Sequence, residues 1–136
     1  SDITLVTYGS TWRIVMDAAN QLERSGISCE VIDTQTLVPF DLTHDISESV
    51  KKTNRLLVID EDVPGGASAY ILQNIIEEQD AYNYLDSEPQ TLAAKAHRPP
   101  YGKDGDYFSK PSADDVFEKV YGMMNEVNPS KFPPLY

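Results

Sequence analysis

The sequence predicts a three-layer α/β/α domain built on a mostly parallel sheet, and three observations carry that expectation. Apolar and β-branched runs recur at Ile3 to Tyr8, Ile27 to Asp33 and Arg55 to Asp60. Between them lie stretches whose apolar residues repeat at three and four, the helical period. The third run, RLLVID, is almost continuously apolar, as a central parallel strand covered on both faces requires. Strands alternating with helices at this spacing call for right-handed crossovers, which set helices on both faces of an open sheet.

The first strand, ITLVTY, ends at Gly9-Ser10, where a strand can give way to a helix. From Thr11 the positions Trp12, Val15, Met16, Ala19 and Leu22 form one helical stripe, and Gly26 supplies a stop at low steric cost. The second strand follows as ISCEVID. Leu37 to Phe40 make a stiff apolar connection, after which Asp41 can cap a helix carrying Leu42, Ile46 and Val50, ended by Asn54. After the third strand, Gly65-Gly66 precede a helix expected to turn Ala69, Leu72, Ile75 and Ile76 inward. Pro89 to Ala96 read as a weaker fourth strand, and His97 to Pro111 as a loop by their prolines and glycines. The last helix opens at Ser112 with Asp115 three residues on, a variant of the capping box, and is expected to bury Val116, Val120, Met123 and Val127. The expected division is a domain over residues 1–127 and a carboxy-terminal tail over residues 128–136, whose KFPPLY is expected to dock on a neighbouring domain.

The 136 residues suffice for one domain with a real core, and they hold 22 acidic residues against 11 Lys and Arg, a net charge of -11. Such a field repels nucleic acid and anionic membrane surfaces and attracts basic partners. The lone Cys29 excludes an internal disulfide and fits a reduced compartment. With no export signal and no apolar run of spanning length, the expected location is cytoplasmic. A strand almost at residue 1 reads as the interior of a larger protein.

Ligands of such sheets lie beyond the carboxyl ends of the strands, which singles out Gly9, Ser10, Asp60, Glu61, Gly65 and Gly66. Gly65-Gly66 before a helix can present amides to an anion, but the phosphate-loop and dinucleotide patterns are missing, so a tight turn is the better reading. The acids from Asp60 to Asp62 can hold magnesium, yet a receiver domain needs a further acidic pair after strand one, where Tyr8-Gly9-Ser10 stand. A solvated, partly hydrogen-bonded loop is the expectation. His97 stands where a loop leaves a strand end and reads as structural rather than as a general base. Tyr101 and its aromatic neighbours up to Phe108 serve equally well as interface anchors or as pins for a long loop.

The order TLVTYGS, SCEVIDTQTLVPFD, RLLVIDEDVPGGASAYI resembles the transketolase-type carboxy-terminal domain of 2-oxoacid dehydrogenase beta subunits, of the branched-chain or pyruvate type. The resemblance implies a sheet order of two, one, three, four, with an antiparallel edge strand contributed by upstream residues. It also implies a parent enzyme that decarboxylates a 2-oxoacid on thiamine diphosphate with magnesium and passes the acyl group to a lipoyl carrier. Catalytic and cofactor residues then belong to other domains, so none is expected here, and this chain alone is expected to be inactive. The implied role is assembly of a dimer or heterotetramer and docking of the basic subunit-binding domain of the acyltransferase. Asp114, Asp115 and Glu118 of the final helix are the docking candidates, although first-turn carboxylates also complement a helix dipole. Gln35 stands where many beta subunits have arginine and His97 where many have aspartate, so a local salt bridge made by those residues is not carried over. The alternatives are the carboxy-terminal domain of a transketolase or deoxyxylulose-phosphate synthase, and a free-standing acidic module of flavodoxin or receiver type.

Overall fold

The computed structural model describes residues 2–9, 11–34, 45–60, 67–93, 95–96, 108–109 and 111–135. Four parallel strands, β1 (Ile3–Thr7), β2 (Cys29–Asp33), β3 (Leu56–Ile59) and β4 (Gln90–Leu92), form one sheet in the order β2-β1-β3-β4. The register runs Ile3 against Cys29 on one side of β1 and Thr4 against Leu56 on the other. Strand period two sorts the side chains of the central pair. Ile3, Leu5, Leu57 and Ile59 face one apolar cluster, and Val6, Leu56 and Val58 face the other. Both clusters are fully buried, which is why these strands lack any polar alternation.

Helices α1 (Thr11–Arg24) and α4 (Ala113–Val127) cover the first face, bringing Val15, Ala18, Leu22, Val116, Val120 and Met123 into its cluster. Helices α2 (Asp45–Thr53) and α3 (Ala67–Gln73) cover the second with Ile46, Val50 and Ile71. The buried Thr4 points beneath α2, where its hydroxyl lies 2.7 Å from those of both Ser49 and Thr53, so its polar group is satisfied.

The expected order and layers hold, with local corrections. In α1 the buried face is Thr11, Val15, Ala18 and Leu22, while Trp12 is 39 % exposed and Met16 and Ala19 are half-buried. That last group lies one step round the helix, on the side toward β2. In α3, Ala69 is exposed and Ile71 takes its place on the buried face. A π-helical turn, Asn74–Glu78, then carries Ile75 inward. In α4, Val127 is 40 % exposed and Met124 is buried instead. The fourth strand is shorter than expected. Lys95–Ala96 form a separate strand, β5, which pairs antiparallel with β6 (Phe108–Ser109), inside the segment expected to be loop. Leu37 to Phe40, Asp41 and Leu42 lie outside the described residues.

Two chain reversals follow expectation. Asn54 ends α2 at φ 63°. Gly26, at φ 83°, ends α1 in a Schellman motif, its amide bonding Glu23 O at 3.0 Å and the Ile27 amide bonding Leu22 O at 3.0 Å. A Cβ on Gly26 would meet nothing within 4 Å, so the whole cost of Gly26→Ala is backbone strain. Urea unfolding is expected to show a loss of about 1 kcal/mol for this variant.

Candidate functional site

Of the residues singled out at the strand ends, Tyr8, Gly9 and Asp60 are described; Ser10, Glu61, Gly65, Gly66, His97 and Tyr101 lie outside the described residues. Asp60 is not the solvated carboxylate expected. It is fully buried, accepting the Tyr8 hydroxyl on Oδ1 and the Ser68 amide, at 2.7 Å, on Oδ2. The carboxylate thus ties the end of β1 to the end of β3 and to the first turn of α3. The β1–β3 register, Val6 against Val58, carries on to set Tyr8 beside Asp60 on the α3 side of the sheet. The expected sheet order sets strands one and three side by side, but the register that brings Tyr8 level with Asp60 is not legible in the sequence. Among the described residues, no three His, Cys, Asp or Glu side chains gather as a metal-ligand group.

The three docking candidates divide by geometry. Asp115 is committed to the helix start: its amide donates to Ser112 Oγ at 3.1 Å and its Oδ2 accepts the Ser112 amide at 2.9 Å, a reciprocal capping box. Asp114 is exposed on the same turn. Glu118, one turn on, is exposed and borders an open groove of about 350 Å³ with Tyr121, Gly122, Asn125, Pro134 and Leu135. Asp114 and Glu118 stand four residues apart and so share a face of α4.

The far wall of this groove is made by the tail. Phe132 is 3 % exposed and belongs to the cluster beneath α1 and α4, meeting the Tyr121 ring edge-on at 6.1 Å. Two bonds hold the tail backbone, from Asn125 Nδ2 to Phe132 O at 2.7 Å and from Tyr121 Oη to Pro133 O at 2.8 Å. Phe132 is therefore claimed by its own core rather than by a neighbouring domain, while Leu135 stays 45 % exposed. The signal was a single aromatic between a turn and a proline pair, which sequence cannot distinguish from an interface anchor.

A four-stranded parallel sheet in the order two, one, three, four, with helices on both faces, is shared by several α/β folds, and fold alone does not select among them. The sequence decides it, matching the family "Transketolase, C-terminal domain" over residues 1–116. The chain belongs to the transketolase C-terminal domain family. Within that family it is 39 % identical over 121 residues to the "Pyruvate dehydrogenase E1 component subunit beta" of Rickettsia conorii, covering 88 % of this chain and 36 % of the relative. Against the mitochondrial "Pyruvate dehydrogenase E1 component subunit beta" of Saccharomyces cerevisiae the identity is 32 % over 122 residues, covering 88 % and 33 %. This transketolase C-terminal domain thus spans about a third of the length of the curated relatives it matches. The solved structure titled "Split gene transketolase, inactive beta4 tetramer" superposes with a TM-score of 0.63 at 22 % identity, over 89 % of this chain and 37 % of that one, which shows the shared fold. Among the described residues no helix is long and apolar enough to cross a membrane.

Proposed function

We propose that this transketolase C-terminal domain is the assembly and docking domain of the decarboxylating component of a 2-oxoacid dehydrogenase complex, and that the 2-oxoacid is pyruvate. The observation that carries the reading is the similarity, across 88 % of the chain, to relatives named as beta subunits of the pyruvate dehydrogenase E1 component. Those names favour the dehydrogenase over a transketolase or deoxyxylulose-phosphate synthase, and pyruvate over a branched-chain substrate. Thiamine diphosphate and magnesium would then be bound by other parts of the parent enzyme, which would supply the carbanion chemistry there. In keeping with this, Asp60, the described strand-end acid, is turned inward, with one oxygen on Tyr8 and the other on Ser68.

The docking partner is the basic subunit-binding domain of the acyltransferase. Support comes from the net charge of -11 and from Asp114 and Glu118 on one exposed face of α4, beside an apolar groove. Calorimetric titration with that domain tests it. Asp114→Lys with Glu118→Lys is expected to weaken binding about tenfold, roughly 1.4 kcal/mol. Unchanged affinity in the double variant would remove this face from the docking reading. Asp115→Ala serves as the contrast, costing about 1 kcal/mol of helix-cap stability with the affinity retained.

The same reading adds a further antiparallel edge strand from residues preceding this domain in the parent, and β2 is an edge that could take it. Among the described residues β2 pairs with β1 alone, and its side chains are half-buried to exposed where those of β1 and β3 are fully buried. An edge of that kind is what a sheet covers, charges or completes.

A further inference from the structure

We propose that the groove leading into β4, walled by Tyr82, Asp86, Ser87 and Glu88, is a docking site separate from the α4 face, and that it takes an arginine side chain from a segment of a partner protein.

The groove has a volume of about 600 Å³ and runs from the 3-10 turn Ala81–Tyr84 to Pro89, the residue before β4. Ala81, Tyr84 and Leu85 pack into the second apolar cluster, whereas α4 covers the first. The sheet therefore separates this groove from Asp114 and Glu118. Its walls are held by the residues that lead from α2 into β3. Asn54 Nδ2 donates to Tyr84 O at 2.7 Å, the Asp86 amide donates to Asn54 O at 2.9 Å, and Arg55 Nη2 pairs with Asp86 Oδ2 at 3.0 Å. A groove whose backbone is fixed in advance loses little freedom when it is filled.

Its chemistry is that of a cation acceptor. From Gln73 to Ala94 the chain carries five acids, Glu77, Glu78, Asp80, Asp86 and Glu88, and no lysine or arginine. Glu88 is exposed and forms no ion pair among the described residues, and Asp86 gives one oxygen to Arg55 while its side chain stays 49 % exposed. Ser87, on the groove wall, has a buried hydroxyl with no hydrogen-bond partner, a group that ordinarily finds one. Tyr82 is 67 % exposed, more than any other large apolar side chain among the described residues. Its ring meets neither a cation nor another ring there.

The neighbouring tyrosine shows what a ring beside a carboxylate does. Lys51 Nζ lies 5.1 Å from the Tyr84 ring centroid and 2.9 Å from Glu48 Oε1, so one cation is shared by a π face and a carboxylate. Tyr82 with Asp86 and Glu88 offers the same kinds of partner to a cation from outside the chain. Arginine suits this set better than lysine. A planar guanidinium stacks on a ring, and its five N–H donors can serve carboxylates and a hydroxyl together, where lysine presents a point charge.

Backbone amide shifts of the isotope-labelled chain test the proposal, with acetyl-Gly-Arg-Gly-Arg-Gly-amide as the probe and its lysine and citrulline counterparts as comparisons. The expected result is saturable shifts over residues 82–89 with the arginine peptide, about threefold weaker binding of the lysine peptide and none of the citrulline peptide. Tyr82→Ala and Glu88→Gln should each weaken the arginine peptide about threefold, while Tyr82→Phe, which keeps the ring, should retain it. All three positions are exposed, so urea unfolding of these variants should match the parent. Shifts spread over every acidic face and indifferent to the groove variants would show only the general attraction of a net charge of -11, and would overturn the proposal. Shifts confined to α4, equal binding of the lysine peptide, or no shifts at all would overturn it too.

Discussion

Phe132→Ala is expected to lower the unfolding free energy by about 3–5 kcal/mol, the range for truncating a buried aromatic. The residue lies 3 % exposed against the ring of Tyr121 and the cluster shared by α1, α4 and the sheet. Its removal leaves a cavity under α4 and frees the two bonds that hold the tail, from Asn125 and Tyr121. Leu135→Ala, three residues on and 45 % exposed, should fall within about 0.5 kcal/mol of the parent. Urea unfolding of the pair reads the contrast directly, and equal effects would show that the tail is not part of the core. The outcome bears on function because Pro134 and Leu135 wall the groove beside Glu118. A tail that comes loose takes that wall away, so Phe132→Ala should also weaken any docking at this face.

Asp60→Ala is the second large loss expected. The side chain is fully buried and satisfies two donors, the Tyr8 hydroxyl and the Ser68 amide. Leaving a buried donor unmet costs about 1–3 kcal/mol each, so the double loss approaches the effect of the Phe132 variant without removing any apolar surface. Asp60→Asn separates the contributions, because an amide keeps one acceptor oxygen and replaces the other with a donor. Its cost should lie near half that of Asp60→Ala. Tyr8→Phe, which removes the hydroxyl alone, should cost less than Asp60→Ala as well. A neutral Asp60→Ala by urea unfolding would contradict this accounting of the two bonds.

How far the sequence reaches is clearest element by element. The strands were legible because parallel central strands need apolar residues on both faces, and LLVI and ITLVT have little else. The Gly26 stop was legible because a left-handed residue after an amphipathic run has few alternatives to glycine. Face assignment was less so: an apolar stripe of five residues in α1 is wider than one packing surface, and periodicity does not say that α4 covers one side while the β2 side stays half-open. The strand pair Lys95–Ala96 with Phe108–Ser109 is too short to carry any period. The Asp60 pairing depends on the β1–β3 register, which the expected strand order alone does not supply. Asp115 was readable as a capping residue from Ser112 three positions earlier, and that local signal separates it from Asp114 and Glu118 as a docking residue.

The division of labour between this domain and the rest of its parent rests on one expectation, that the chain assembles and docks but does not hold the cofactor. Calorimetric titration of the 136-residue chain with thiamine diphosphate and magnesium tests it most directly. The account predicts no saturable heat at micromolar concentrations, in the same buffer in which the basic subunit-binding domain gives a binding isotherm. Saturable micromolar binding of the cofactor would contradict it and place part of the catalytic machinery in this domain.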